Sequence, residues 1–136
     1  MDSVLLIALL LIGASIFGVI HQKNKGKIKT VAKTSQQIPI NSIGTELGDK
    51  ATLLQFSSAF CAPCRATRTL LSQVVKDFPG IKHVEVDAEA NLELVRELKV
   101  KSTPTTLILN SAGVEISRAV GAPRKSDVIA TLNAIR

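Results

Sequence analysis

The feature that most constrains this chain is its cysteine pair, Cys61 and Cys64, which carries all of its cysteine content. The apolar segment Ala51 to Ser57 (ATLLQFS) precedes the pair and predicts a buried strand. From Cys61 to Phe78, apolar residues recur at helical spacing. Pro63 falls in the first helical turn, where its missing N–H costs nothing. The pair therefore lies where a buried strand passes into a helix.

This position favours thiol chemistry. At a helix N-terminus the Cys61 thiol faces unpaired backbone N–H groups and the positive end of the helix dipole, which stabilise a thiolate. The Cys61 thiolate would attack a substrate disulfide, and Cys64 would then attack Cys61 and release the reduced substrate. Arg65 adds positive charge nearby. The alternative is that both cysteines are inert small hydrophobes, against which Pro63 and the strand-to-helix position argue.

No metal or organic cofactor is required for this chemistry. A structural zinc site normally needs four Cys or His ligands. The chain offers two cysteines, His83, and His21 at the edge of an apolar segment. We therefore expect no metal site.

The rest of the chain alternates strand and helix patterns. Pro39 makes Ile38 to Ile43 a possible short edge strand, since proline lacks a ladder donor. The further elements, in chain order, are a strand at Ile81 to Val86, an amphipathic helix at Ala88 to Leu98 with Leu92, Val95 and Leu98 on one side, strands at Thr105 to Asn110 and Val114 to Val120 around a Ser111-Ala112-Gly113 turn, and a helix at Ser126 to Ile135. This order predicts an α/β fold with a central mixed β-sheet flanked by helices.

One transmembrane helix is predicted before this domain. Val4 to Ile20 contains no charged residue, and as a helix it spans about 26 Å, close to the hydrocarbon thickness of a bilayer. Extension through Gln22 closes the gap. A cleaved signal peptide and a buried core helix are the alternatives. We divide the chain into a transmembrane helix (4–22), a Lys-rich tether (23–37) and a folded domain (38–136).

The distribution of charge along the chain predicts how the apolar helix is oriented in a membrane. The net charge of the chain is +6. Five of its lysines lie between His21 and Ser35, and the folded domain carries nearly equal numbers of basic and acidic residues. Balanced charge and 3% aromatic residues argue against a nucleic-acid partner. The positive-inside rule predicts an outward N-terminus and a cytoplasmic domain. An extracytoplasmic domain, with the lysines only solvating the tether or binding the lipid bilayer, is the alternative.

From about Ile38 to Arg136 the chain resembles a thioredoxin. The motifs that carry the resemblance are the Cys-Ala-Pro-Cys site, VDAEAN at Val86 to Asn91, STPT at Ser102 to Thr105, the LILNSAGVEI hairpin and Gly121. The resemblance implies the thioredoxin fold, a cis Pro104 beside the dithiol, a Thr103 backbone that pairs with substrate, and Gly121 on the substrate-facing surface. The residues alone do not favour a cis bond, because a proline is tolerated at the start of a strand.

Several residues depart from the family pattern. Gln55 stands where thioredoxins place a buried Asp thought to assist proton transfer, and His83 stands where its Lys partner is usual. A structural replacement of the charged pair and a tuning or base role for His83 are both open. Ser57 and Phe60 replace tryptophans, so Phe60 alone keeps an apolar surface beside Cys61. Ala62 replaces the usual glycine and, with Pro63, completes the expected substrate-binding set.

These features together predict a membrane-tethered thiol–disulfide oxidoreductase. In a reducing cytoplasm it would reduce protein disulfide substrates and be recharged by a thioredoxin-reductase-like enzyme or a membrane electron donor. The alternative is a non-catalytic docking module on a thioredoxin scaffold, suggested by the altered Gln55 and His83.

Overall fold

The protein is described by a computed structural model that covers residues 2–24, 26–30 and 37–135. The first element is helix α1, Asp2–Asn24. Its stretch Ser3–Lys23 is the one helix in the described residues that is long and apolar enough to cross a membrane. Its apolar side chains are exposed along its whole length. A membrane span and a signal sequence share these properties.

The domain is built on a five-stranded sheet. Its helices and strands after α1 are, in chain order, β1 Ile28–Thr30, α2 Ile40–Ile43, β2 Ala51–Ser57, α3 Ala62–Val74 followed by a 3₁₀ turn at Val75–Asp77, β3 Ile81–Asp87, α4 Leu92–Glu97, β4 Thr105–Asn110, β5 Glu115–Val120 and α5 Lys125–Ala134. The sheet order is β1-β5-β4-β2-β3. Only the β2–β3 pair is parallel. The predicted mixed sheet is confirmed.

Strand β2 is buried on both faces, which separates the core into two layers. Leu53 points towards α3 and α5, where it packs with Leu71 and Val128. Its neighbour Leu54 points to the opposite face and packs with Leu94 of α4. Successive strand side chains alternate between faces, so an unbroken apolar run is what a strand covered by helices on both sides requires.

The sheet begins inside the segment for which the sequence predicts a tether. Strand β1 pairs antiparallel with β5, placing Ile28 opposite Ala119 and Thr30 opposite Ser117. Ile28 also packs against the core beneath α5. The sequence does not show this strand, because lysines interrupt any apolar pattern in the segment. An edge strand needs only one apolar contact to pack against the core, so its sequence signal is weak. The remaining tether residues 31–36 lie outside the described residues.

Two predicted elements differ from those observed. Ile38 to Ile43 is not a strand: a single bridge joins Gln37 to Val114, and the short helix α2 then begins directly after Pro39. The helix predicted from Ala88 begins only at Leu92, because the Asp87 carboxylate accepts hydrogen bonds from the N–H groups of Glu89 and Ala90 and closes a turn. Leu92 is accordingly exposed.

Candidate active site

Three strand ends and the start of a helix lie at one edge of the sheet. The register places Phe56, near the end of β2, opposite Thr105 at the start of β4. Thr105 in turn lies opposite Val120 at the end of β5. The helix α3 starts from the same edge, since it follows β2. The cysteine pair, the Thr103-Pro104 segment and Gly121 therefore all lie at this edge of the sheet.

Cys61 and Cys64 form a disulfide at the N-terminus of α3. Cys61 is the N-cap residue, and its sulfur accepts a hydrogen bond from the Cys64 N–H at 3.1 Å. Cys64 is buried, whereas Cys61 is partly exposed. The sulfur that a substrate can reach is therefore also the one that faces the backbone N–H groups at the start of the helix. This asymmetry suits Cys61 to attack and Cys64 to resolve.

A loop with a cis proline borders the disulfide. The Thr103-Pro104 peptide bond is cis, as the resemblance implies. The Thr103 hydroxyl lies 3.2 Å from the Ser58 hydroxyl, which ties this loop to the segment before Cys61. The Gly121 N–H donates to the Pro104 carbonyl at 2.8 Å. These contacts fix the loop beside the disulfide, and the assignment of Thr103, Pro104 and Gly121 to substrate binding stays a prediction.

The surface next to Cys61 is apolar and open. Phe60 is 99% exposed, so its ring is available to a partner and contributes nothing to the core. Ala62 and Pro63 are also exposed on the first turn of α3. Arg65 is exposed on the same helix, and no contact within the described residues joins its side chain to either sulfur. A large apolar side chain at the rim of a reactive group marks an interaction surface.

Gln55 and His83 are hydrogen-bonded to each other beneath the site. The amide nitrogen of Gln55 donates to the Cys64 carbonyl oxygen at 2.9 Å. Because that oxygen can only accept, the amide oxygen of Gln55 must face His83 Nε2, 2.9 Å away. His83 therefore carries a hydrogen on Nε2, and in the neutral ring Nδ1 accepts from the Ser72 hydroxyl at 3.3 Å. The neutral imidazole satisfies every polar atom of this network.

An ion pair covers the outer side of this network. Arg68 of α3 binds Glu85 of β3 through two N–H groups, and this bond lowers the pKa of the Glu85 carboxyl below its ordinary value. Burial lowers the pKa of His83, an effect that the Glu85 carboxylate opposes and Arg68 reinforces. Burial and Arg68 therefore favour the neutral form of His83.

Sequence reasoning missed the contributions of Ser72, Arg68 and Glu85. Arg68 and Ser72 are four residues apart on α3, and His83 and Glu85 are two apart on β3. Each periodicity puts its own pair on one face of its element, and the fold brings the two faces together. That coincidence was the available signal. Within the described residues no group of three or more His, Cys, Asp or Glu side chains could hold a metal ion.

A reactive cysteine pair at the start of a helix, on a mixed sheet and beside a cis-proline loop, defines the class of thiol–disulfide oxidoreductases. The family model described as Thioredoxin matches residues 27–134. The chain belongs to the thioredoxin family, and its resemblance to thioredoxins is confirmed.

Curated relatives and solved structures agree with this assignment. A Thioredoxin H-type of Fagopyrum esculentum is 32% identical over 59% of this chain and 67% of its own length. Thioredoxin of Mycolicibacterium smegmatis is 29% identical over 76% of this chain and 92% of its own length. The X-ray structure of Fasciola hepatica thioredoxin superposes with a TM-score of 0.58 at 23% identity, covering 71% of this chain and 88% of that one; it supports the fold.

Proposed function

We propose that this thiol–disulfide oxidoreductase is tethered to a membrane by α1 and acts as a protein disulfide reductase. The observation that carries the reductase role is the partly exposed Cys61 at the N-terminus of α3, whose sulfur accepts a backbone hydrogen bond, next to the fully exposed Phe60. A thiolate at that position is stabilised without any cofactor. The apolar length of Ser3–Lys23 supports the tether.

The reaction runs through the cysteine pair alone. The Cys61 thiolate attacks one substrate sulfur, and the other substrate sulfur leaves as a thiolate that takes up a proton. Cys64 then loses its proton, attacks Cys61 and releases the second substrate thiol. Two electrons pass to the substrate, and the protein becomes the Cys61–Cys64 disulfide. A dithiol donor, from a thioredoxin-reductase-like enzyme or a membrane carrier, restores the reduced pair.

Single cysteine variants test this proposal. With Cys61→Ser, reduction of a disulfide substrate should stop, because the attacking sulfur is absent. With Cys64→Ser, the first attack still occurs but nothing resolves it, so a mixed disulfide with the substrate should accumulate. Both species are measured by non-reducing gel and mass spectrometry, with Ser111→Ala as a control that should turn over normally. Undiminished reduction by Cys61→Ser would contradict the proposal.

A docking module on the same scaffold is the second candidate. The observation that favours it is the Gln55–His83 network, which has no carboxylate beneath Cys64 to carry a proton. In that case the reduced cysteines would resist an alkylating reagent at neutral pH while a partner protein still bound. Rapid alkylation of one cysteine in the reduced protein would decide for the reductase.

A further inference from the structure

Immediately after α1, the chain is attached to the folded domain beside the active site. Only one residue separates Asn24, the last residue of α1, from Gly26. The Gly26 N–H donates to the Val120 carbonyl at 2.7 Å. Gly26 has a φ of +80°, and a Cβ there would lie 2.1 Å from the Ala122 carbonyl oxygen. Glycine is the residue that permits this close approach of two backbones.

A short series of contacts leads from that point to the disulfide. Val120 is followed by Gly121, whose N–H donates to the Pro104 carbonyl at 2.8 Å. Thr103, bonded to Pro104, has its hydroxyl 3.2 Å from that of Ser58. Ser58 lies three residues before Cys61. The entry point of the chain and the substrate-facing loop are thus parts of one surface.

The strand directions give the same result independently. Strand β1 begins at the edge of the sheet where β5 ends, since Ile28 lies opposite Ala119 and Thr30 opposite Ser117. It then runs away from the site. The α1 helix is therefore connected to the active-site edge of the sheet.

Covalent geometry limits how far the site can move from α1. Two Cα–Cα steps join Asn24 to Gly26, and one hydrogen bond joins Gly26 to the residue before Gly121. Summed bond lengths keep the Gly121 Cα within about 16 Å of the Asn24 Cα. Gly121, on the face that the family resemblance assigns to substrate, is thereby held close to the end of the membrane helix and so to the bilayer surface.

We infer that the dithiol face acts on disulfides that integral membrane proteins carry close to the bilayer surface. This inference rests on the proposed membrane tether and reductase role. The short connection concentrates Cys61 in a thin layer above the membrane, which raises its encounter rate with disulfides in that layer and lowers it for those further out. The exposed Phe60 offers an apolar contact to a juxtamembrane segment. The transfer is the two-electron exchange given above.

The test uses the full chain in lipid vesicles, reduced beforehand and freed of excess reductant, in a single turnover. Two transmembrane peptides carry the same disulfide loop, one directly after the span and one beyond a proline-rich spacer of about 60 Å. A soluble peptide with that loop is the third substrate. We expect the near disulfide to react about threefold or more faster than the distant one.

Two insertions of the same flexible Gly/Ser sequence, about 30 residues long, sharpen the test. Placed after Asn24, the insertion should bring the near-to-distant rate ratio close to one, because the site is no longer held at the surface. Placed before Asp2, it should leave the ratio unchanged. The soluble peptide should react equally with all three proteins.

The outcomes separate the two proposals. Equal rates on the near and distant peptides by the unmodified chain, with the soluble peptide reduced, would overturn the membrane-surface inference and leave the reductase role in place. A near-to-distant ratio that survives the insertion after Asn24 would also overturn the inference. Failure to reduce the soluble peptide would overturn the reductase role itself.

Discussion

Gln55 is a neutral side chain at a fully buried position, where it makes one hydrogen bond to the Cys64 carbonyl, one to Ser57 and one to His83. The bonds to Cys64 and Ser57 satisfy buried groups, and the bond to His83 satisfies a partly buried one. A buried polar group is tolerated when all of its hydrogen bonds are made, and it becomes costly when one partner is removed. Gln55 therefore links the resolving cysteine to the neighbouring strand through polar contacts alone.

Replacing Gln55 by leucine should lower the free energy of unfolding by about 1–3 kcal/mol, because the Cys64 carbonyl and the His83 N–H lose their partner. The matched control is Thr106, opposite Gln55 on β4. Its hydroxyl is buried without a hydrogen-bond partner in the described part of the chain, so Thr106→Val should be neutral or stabilising. Urea denaturation of the three proteins measures both effects. Equal losses for the two variants would contradict this account of Gln55.

His83 should make stability depend on pH. Burial lowers its pKa in the folded protein, so the unfolded chain binds the proton more tightly. The stability that neutral His83 contributes is then complete above the unfolded value of about 6.5. It is lost as the pH falls through that value towards the lower folded pKa. Unfolding free energies between pH 8 and pH 5 should therefore decline, and less steeply in His83→Gln.

The His83→Gln variant is a suitable control because its amide can still donate to the Gln55 oxygen but does not titrate. The Arg68 hydrogen bond that chiefly lowers the pKa of Glu85 does not involve His83, so most of the Glu85 titration should be common to the two proteins. The difference between the two pH profiles then belongs to His83. Parallel profiles would show that His83 keeps its ordinary pKa in the fold.

At the scale of elements, the strands and helices around the cysteines follow from local patterns in the sequence. Ala51–Ser57 and Thr105–Asn110 were predicted with their observed bounds, because apolar runs bounded by turn residues define a buried strand. The local pattern does not predict helix α2, strand β1 or the late start of α4. Strand β1 depends on its partner strand β5, and the late start of α4 depends on a turn closed by Asp87. Helix α2 has only four residues, too few to show a helical period.

Part of the candidate site can likewise be predicted from the sequence, and part cannot. The cysteine pair follows from its spacing and position, and the proximity of Pro104 and Gly121 follows from the family resemblance. The sequence does not predict the partners of Gln55 or the attachment of Gly26 to Val120. Each of these depends on the register between strands that are distant in sequence. Local periodicity shows which side chains share a face, and only the assembled sheet shows which faces meet.

Strand β1 should depend on Gly26. In Gly26→Ala the new Cβ would meet the Ala122 carbonyl at 2.1 Å, so the chain must move away and β1 should detach from β5. Amide hydrogen exchange at residues 28–30 should then rise to rates typical of an unfolded segment, with the exchange of β2 unchanged. Gly44 is the control: its φ is +67°, yet a Cβ there meets nothing within 4 Å.

In Gly44→Ala only the left-handed backbone is penalised, by about 1–2 kcal/mol, and β1 should keep its protection. Protection of β1 that survives in Gly26→Ala would mean that the strand docks without the Gly26–Val120 contact. The placement of the active site near α1 would then depend on the β1–β5 ladder alone.

At the scale of the whole molecule, the side of the membrane on which the domain lies decides its redox role. In a reducing cytoplasm the dithiol form is favoured and the protein reduces its substrates, whereas outside the cell the disulfide form is favoured. Lys23 lies in the last turn of α1, and Lys27 and Lys29 follow the helix. Lys27 precedes β1 and Lys29 lies within it, so the segment that attaches the chain to the sheet also carries the charge on which the proposed membrane orientation depends.

The positive-inside rule predicts that this segment keeps the domain in the cytoplasm. Protease or a reporter fused after Arg136 should therefore find the C-terminus inaccessible from outside intact cells. Changing the five lysines between His21 and Ser35 to glutamine, with two lysines added after Met1, should expose it. Changing the same five lysines to arginine should leave the C-terminus inaccessible, because the charge is kept.

An accessible C-terminus in the unmodified chain would place the domain outside, and a mature protein shorter by the length of α1 would identify that helix as a signal sequence. Either result would leave the chemistry of Cys61 and Cys64 as described and reassign only the compartment in which it operates.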